Sequence, residues 1–294
     1  MNSFSSTSTR PKKAAKILHF PQPAATKKLL IPREHGSWGL WLLPLIVGAV
    51  VGAANNPGKS DWAIFWFCAA SASAFLAYQP LEALLGISPV KTRTSEETQL
   101  ATTWVILTGF IAIISAVQLV LSGRGRVLVF ALLAAGCFAI RMLAGKIRAL
   151  RATRQILGAL ALSSAAAGSY YVISGKLDKT ALVIWAACWV FSAAQIEYVQ
   201  LRMHSVNVHS RAEKARAGWK VYVLHAFLVV ITSIATIAGH APGLFAVLFV
   251  PAMVRLIVWT LSRPGKIDFY ALGFSELFQS VLFSSLLAIA FVWR

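Results

Sequence analysis

Nine apolar stretches constrain this chain more than any other feature. Residues 36–54, 61–79, 100–121, 126–143, 156–174, 181–201, 219–238, 241–260 and 272–292 each approach the roughly 20 apolar residues that a helix needs to cross a bilayer core. Lipid offers no partner to a free peptide group, so such spans must make their backbone bonds internally, as helices. The expected fold is all-α, a polytopic transmembrane bundle of about nine helices. The seventh and eighth stretches are parted only by "GHAPG", which predicts a tight turn. Composition agrees: 13% of residues are charged and 57% hydrophobic, against about 25% charged in soluble domains.

The cations are distributed unequally. With the N-terminus inside, 22 Lys and Arg fall in the inner segments and six in the outer ones. The positive-inside rule then predicts N-in and C-out. Residues 1–32 are expected to be a disordered basic cytoplasmic tail on an anionic leaflet, and 33–294 a single transmembrane helical domain. No cleavable signal is evident, because the first apolar run begins too late. The alternative for the tail is an organelle transit peptide, also basic and Ser-rich. The expected location is the bacterial inner (cytoplasmic) membrane, multi-pass, with membrane lipids as partners. A net charge of +18 raises nucleic acid as a partner, but the charge is spread over short loops, so none is expected. Cys68, Cys137 and Cys188 lie inside apolar runs and read as small buried hydrophobes.

The first span opens "LLIPREHGSWGLWLLPLIVGAV". Pro32 suits a first helical turn, Glu34 complements the dipole, and Trp38 and Trp41 suit the interface. Gly48 and Gly52 form a GxxxG that permits close helix contact. Consecutive helical residues point about 100° apart, so Arg33, Glu34 and His35 cannot all face one cavity. Glu34 is the first candidate for a site, His35 the second, and Arg33 a lipid-facing anchor.

Other polar groups cluster at the cytoplasmic ends of spans, where an unpaired charge costs roughly 2.5–3.5 kcal/mol by insertion scales. Span two ends with Gln79 and Glu82 around Pro80, which is expected to break or kink the helix. Span four ends at Arg141, followed by Arg148, Arg151 and Arg154, a possible comb for anionic lipid heads. In span six, Gln195, Tyr198, Arg202, Ser205 and His209 share one face, with Glu197, Gln200 and His204 nearly opposite. Span nine carries Glu276, Gln279 and Ser280 on one face, with Glu276 expected in the first turn. His225 and His240 have no second ligand at metal spacing, and no nucleotide-binding loop is present in strand–helix context. No metal and no cofactor is expected.

The motifs "IPREHGSWGLWLLP", "YQPLEALLG" and "ALGFSELFQSVLF" resemble the YwiC-like family of bacterial integral membrane proteins, from about residue 30 to the end. The layout also resembles the UbiA superfamily of intramembrane prenyltransferases, which have nine helices, N-in, and active loops after spans two and six. "TRQILGALALSSAAAGSYY" is similar to a UbiA fifth span. That resemblance implies a scaffold but not its reaction. UbiA enzymes hold magnesium through two Asp-rich motifs, and the matching regions here offer Gln79 and Glu82, then Gln195 and Glu197, with no Asp.

The residues thus suggest a cytoplasm-facing polar pocket lined by Glu34, His35, Gln79, Glu82, Arg141, Gln195, Glu197, Arg202 and Glu276. It would take an isoprenoid or quinone-like amphiphile, its head against Arg141 or Arg202. Glu197 or Glu276 would serve as a base if burial raised its pKa, and whether any reaction occurs is left open. A transporter would instead need midplane polar groups and two related halves, neither of which is evident. A structural or assembly subunit is the third reading, supported by the small residues of 156–174.

Overall fold

The computed structural model of the chain describes residue 30 and residues 35–56, 62–87, 92–143, 151–206, 208, 210–262 and 268–293. Within these residues the regular structure is helical. Nine helices follow in order: α1 (His35–Ala54), α2 (Ala63–Leu84), α3 (Ser95–Leu121), α4 (Leu128–Leu143), α5 (Arg151–Ser174), α6 (Lys179–His204), α7 (Arg211–Ile237), α8 (Val250–Leu261) and α9 (Phe269–Val292). Short 3-10 segments, Gly125–Val127 and Gly243–Val247, lead into α4 and α8, and with them all nine are long and apolar enough to cross a membrane. Large apolar side chains face outward, among them Ile106, Phe110 and Ile113 on α3 and Val223, Phe227 and Val230 on α7. So broad an exposed apolar belt suits lipid and not water. The protein is an integral, multi-pass membrane protein.

Several helices begin before their apolar runs do. Ser210 and Glu213 close a capping box ahead of α7, with Ser210 Oγ accepting from the Glu213 N–H at 3.1 Å. The first turns of α7 are therefore polar yet helical. Thr94 caps α3, Asp178 caps α6 and Asp268 caps α9. At the other end of α2 the expectation for Pro80 fails in part: the helix runs through Pro80 to Leu84. The turn after α7 forms as expected, with Gly239 at φ +70°, a conformation glycine adopts without the Cβ clash.

α5 is the hub, packed against α1, α2, α4 and α6. Residues 163–172 are all buried, because Ala, Ser and Gly let neighbouring backbones approach from every side. α1 makes the closest approach. A Cβ on Gly48 would stand 1.9 Å from the Ala166 carbonyl oxygen, and one on Gly52 would stand 3.0 Å from that of Tyr170. Ser169 Oγ donates to the Leu45 carbonyl at 2.9 Å. The GxxxG of the first span is thus the α1–α5 contact itself.

Cross-helix pairs give the directions. Gly48 meets Ala166 and Gly52 meets Tyr170, so α1 and α5 run parallel. Lys214 bonds Trp259 and Tyr222 bonds Leu256, so α7 and α8 run antiparallel. Up-and-down alternation brings the ends of even-numbered helices and the starts of odd-numbered ones to one side, the polar end of the bundle.

Candidate functional site

The centre of the polar end is an arginine in the apolar run "VPAMVRLIVWT". Arg255 lies about 9 Å above the end of α8, at 1.5 Å per residue. Its Nη1 donates to Glu276 Oε1 of α9 at 2.6 Å, and its Nη2 donates to Gln195 Oε1 of α6. The guanidinium also stands over the Tyr198 ring, 3.8 Å from its centroid, in cation–π geometry. Tyr198 is buried, and its hydroxyl accepts from Arg202 Nη1 at 3.1 Å. One cation therefore ties α6, α8 and α9 together.

The network is incomplete on its inner side. A guanidinium only donates, so Gln195 must turn its oxygen toward Arg255 and its amide nitrogen away. His225, fully buried on α7, faces the Val221 carbonyl with Nδ1 at 2.8 Å. That carbonyl only accepts, so Nδ1 carries the hydrogen and neutral His225 presents a bare Nε2. Gln195 Nε2, His225 Nε2 and Arg255 Nε are buried with no hydrogen-bond partner among the described residues. Gln195 and Arg255 are joined by their own hydrogen bond, so two unmet donors belong to one network, and each of the three atoms suits a small hydroxyl or water-like group.

A second pair lies nearer the bundle surface. Arg141 Nε at the end of α4 donates to Glu82 Oε1 of α2 at 3.1 Å. Tyr78 donates to the same oxygen at 2.7 Å, and Arg141 lies 4.7 Å from the Tyr78 ring centroid. Both ion pairs lie toward the polar end but on different helices.

The nine sequence candidates therefore divide. Gln195 and Glu276 meet through Arg255 and Arg202 joins them through Tyr198, while Glu82 and Arg141 meet each other. Gln79 and Glu197 are half-buried on α2 and α6. Glu34, Arg33, Arg148, His209 and the side chains of His35 and Arg151 lie outside the described residues. Glu276 is not in a first turn, as the sequence suggested; α9 starts at Phe269 behind the Asp268 cap. Its carboxylate answers Arg255 rather than the helix dipole. Arg255 itself was counted with the inner loop, and the signal that finds it is an arginine with apolar neighbours on both sides. Sequence reasoning also gave no place to Lys214, whose Nζ donates to the end of α8, or to the burial of His225.

Two cavities lie elsewhere. One of 640 Å³, at the opposite end, is bordered by Asp178, His240, Phe291 and Trp293. The other is an apolar groove of 280 Å³ between α3 and α4, at Val117 and Leu128.

A family model described as YwiC-like protein matches residues 31–174. Residues 31–174 belong to the YwiC-like family. Among curated proteins, none matches the chain. The YwiC-like segment covers α1 to α5, and so holds the hub, its glycine contact and the Glu82–Arg141 pair. The Arg255 network lies beyond it, as does "ALGFSELFQSVLF", so the match stops short of the likeness expected to the end of the chain.

Proposed function

We propose that this YwiC-like membrane protein binds an isoprenoid- or quinone-like amphiphile, with its polar head at the polar end among α6 to α9 and its tail along the apolar flanks. One observation carries the reading: an arginine network held by a carboxylate keeps buried, unmet donors on Gln195 and Arg255 inside a largely apolar bundle. Such groups are costly in lipid and are kept where a polar partner joins them. Residues 33–294 act as one UbiA-type transmembrane unit behind the basic tail 1–32. The polar end faces the cytoplasm and the protein resides in the bacterial inner membrane.

Native mass spectrometry of protein purified in mild detergent tests the ligand. Wild type should carry one defined isoprenoid or quinone, and Gln195→Leu should lose most of it while keeping the Arg255–Glu276 pair. Bulk phospholipid alone in both proteins would remove the reading and favour an assembly subunit. Orientation has its own check, because Arg216 is exposed on α7. Arg216→Cys should react with a membrane-impermeant maleimide only after cells are opened; labelling of intact cells would reverse the topology.

A further inference from the structure

We propose that the polar end recognises a phosphate-bearing anion through Arg202, Arg211 and Lys214, which rests on the amphiphile reading and names the chemistry of its head. The inference starts at the end of α8. Lys214 is 4% exposed, and its Nζ donates to the carbonyls of Trp259 at 3.2 Å and Ser262 at 2.9 Å. It also donates to Ser262 Oγ at 3.3 Å. The two carbonyls belong to the C-terminal end of α8, where the helix supplies no N–H partner of its own, and that of Trp259 also accepts from Ser262 Oγ at 2.6 Å. Its three N–H bonds are thus satisfied, but its charge meets only a partial negative one.

Arg202 stands on the same aromatic ring. The Arg202 guanidinium is 5.8 Å and Lys214 Nζ 5.5 Å from the centroid of Trp259. Arg211 stands three residues before Lys214 on α7, a spacing that puts both on one helix face, and Arg202 and Arg255 both lie against Tyr198. Among the described residues none of Arg202, Arg211 and Lys214 forms an ion pair with a carboxylate. Glu276 feels Arg202 but is committed to Arg255 at 2.6 Å. These four cations outnumber the acids beside them, Glu276 held by Arg255 and Glu213 in the Ser210 capping box, at the edge of a low-dielectric bundle, where like charges repel strongly.

The arrangement selects the anion. Lys214 is a fixed positive charge at the back. Arg202 is half-buried and spends Nη1 on the Tyr198 hydroxyl at 3.1 Å, which leaves its other N–H groups for an anion, and Arg211 is exposed. Two guanidinium forks match the several oxygens of a phosphate better than the two of a carboxylate.

The test uses the full chain in neutral detergent, titrated with inorganic phosphate and, separately, with phosphatidic acid in phosphatidylcholine micelles, and followed by native mass spectrometry and thermal stability. Saturable binding of phosphatidic acid is expected, about tenfold tighter than phosphatidylcholine and weakened about tenfold by Arg202→Gln or Arg211→Gln. Arg211→Gln lies on an exposed first turn and keeps the test valid if Arg202→Gln fails to fold. Stabilisation by inorganic phosphate with the same arginine dependence identifies free phosphate as a ligand. Binding of phosphatidic acid alone identifies a lipid headgroup. No preference over phosphatidylcholine, together with no phosphate effect, overturns the inference. If a neutral quinone still co-purifies in that case, the amphiphile reading stands and only the phosphate falls.

Discussion

Replacing Gly48 by leucine will keep the bundle from assembling, and replacing Gly136 by leucine will not. A Cβ at Gly48 would lie 1.9 Å from the Ala166 carbonyl oxygen and 2.2 Å from Ser169 Oγ. The first of these is backbone, which no rotamer change can move. α1 would have to leave α5 and break the Ser169–Leu45 hydrogen bond. Overpacking in adaptable cores costs about 1–3 kcal/mol, and a clash with helix backbone stands at or above the upper bound. Because α5 also packs on α2, α4 and α6, the displacement would spread through the hub. A Cβ at Gly136, on exposed α4 surface, meets nothing within 4 Å, and leucine there improves helix propensity by up to about 1 kcal/mol. Size-exclusion profile and thermal aggregation temperature, measured for both variants, decide the matter. Equal yields of monodisperse protein would show that the α1–α5 contact is not needed for assembly.

The glycine contact was legible because GxxxG states a purely local requirement: small residues one turn apart on one face. The spans were legible for a similar reason, since lipid forces a simple length rule on apolar sequence. The small residues of 156–174 were read as a packing surface, and α5 proves to be the hub they imply. The losses came where averaging hides a single residue. α7 begins at Arg211 because Ser210 and Glu213 cap it, yet its first turns are polar and fall outside any hydropathy window. Arg255 was absorbed into a count of loop cations, because one charge hardly alters the mean of a long apolar run. Its partners on α6 and α9 are far away in sequence, and helix adjacency alone decides that they meet. The Gln195–Tyr198–Arg202 face was visible from the 100° step, but nothing in the sequence said that its complement would be an arginine of α8.

Arg255→Met is expected to be far more harmful than the paired change Arg255→Met/Glu276→Leu. Removing the arginine alone leaves the largely covered Glu276 carboxylate with its 2.6 Å partner gone, and it also takes the donor from Gln195 Oε1. Breaking one side of a buried pair typically costs about 3–5 kcal/mol, whereas replacing both sides by apolar groups is often neutral. The double variant still leaves Gln195 without its arginine, so recovery should be large but incomplete. Glu276→Gln is expected to fall between them, because the amide oxygen can still accept from Arg255 while the compensating charge is lost. Thermal unfolding of wild type, Arg255→Met, Glu276→Leu and the double variant in one detergent gives the coupling energy as a double-mutant cycle. A double variant whose loss equals the sum of the two single losses, with Glu276→Leu as the second single, would mean that the pair contributes no coupling. In that event the cation–π contact to Tyr198 at 3.8 Å would be the interaction that holds Arg255 in the bundle, and Tyr198→Leu would then reproduce the cost of Arg255→Met.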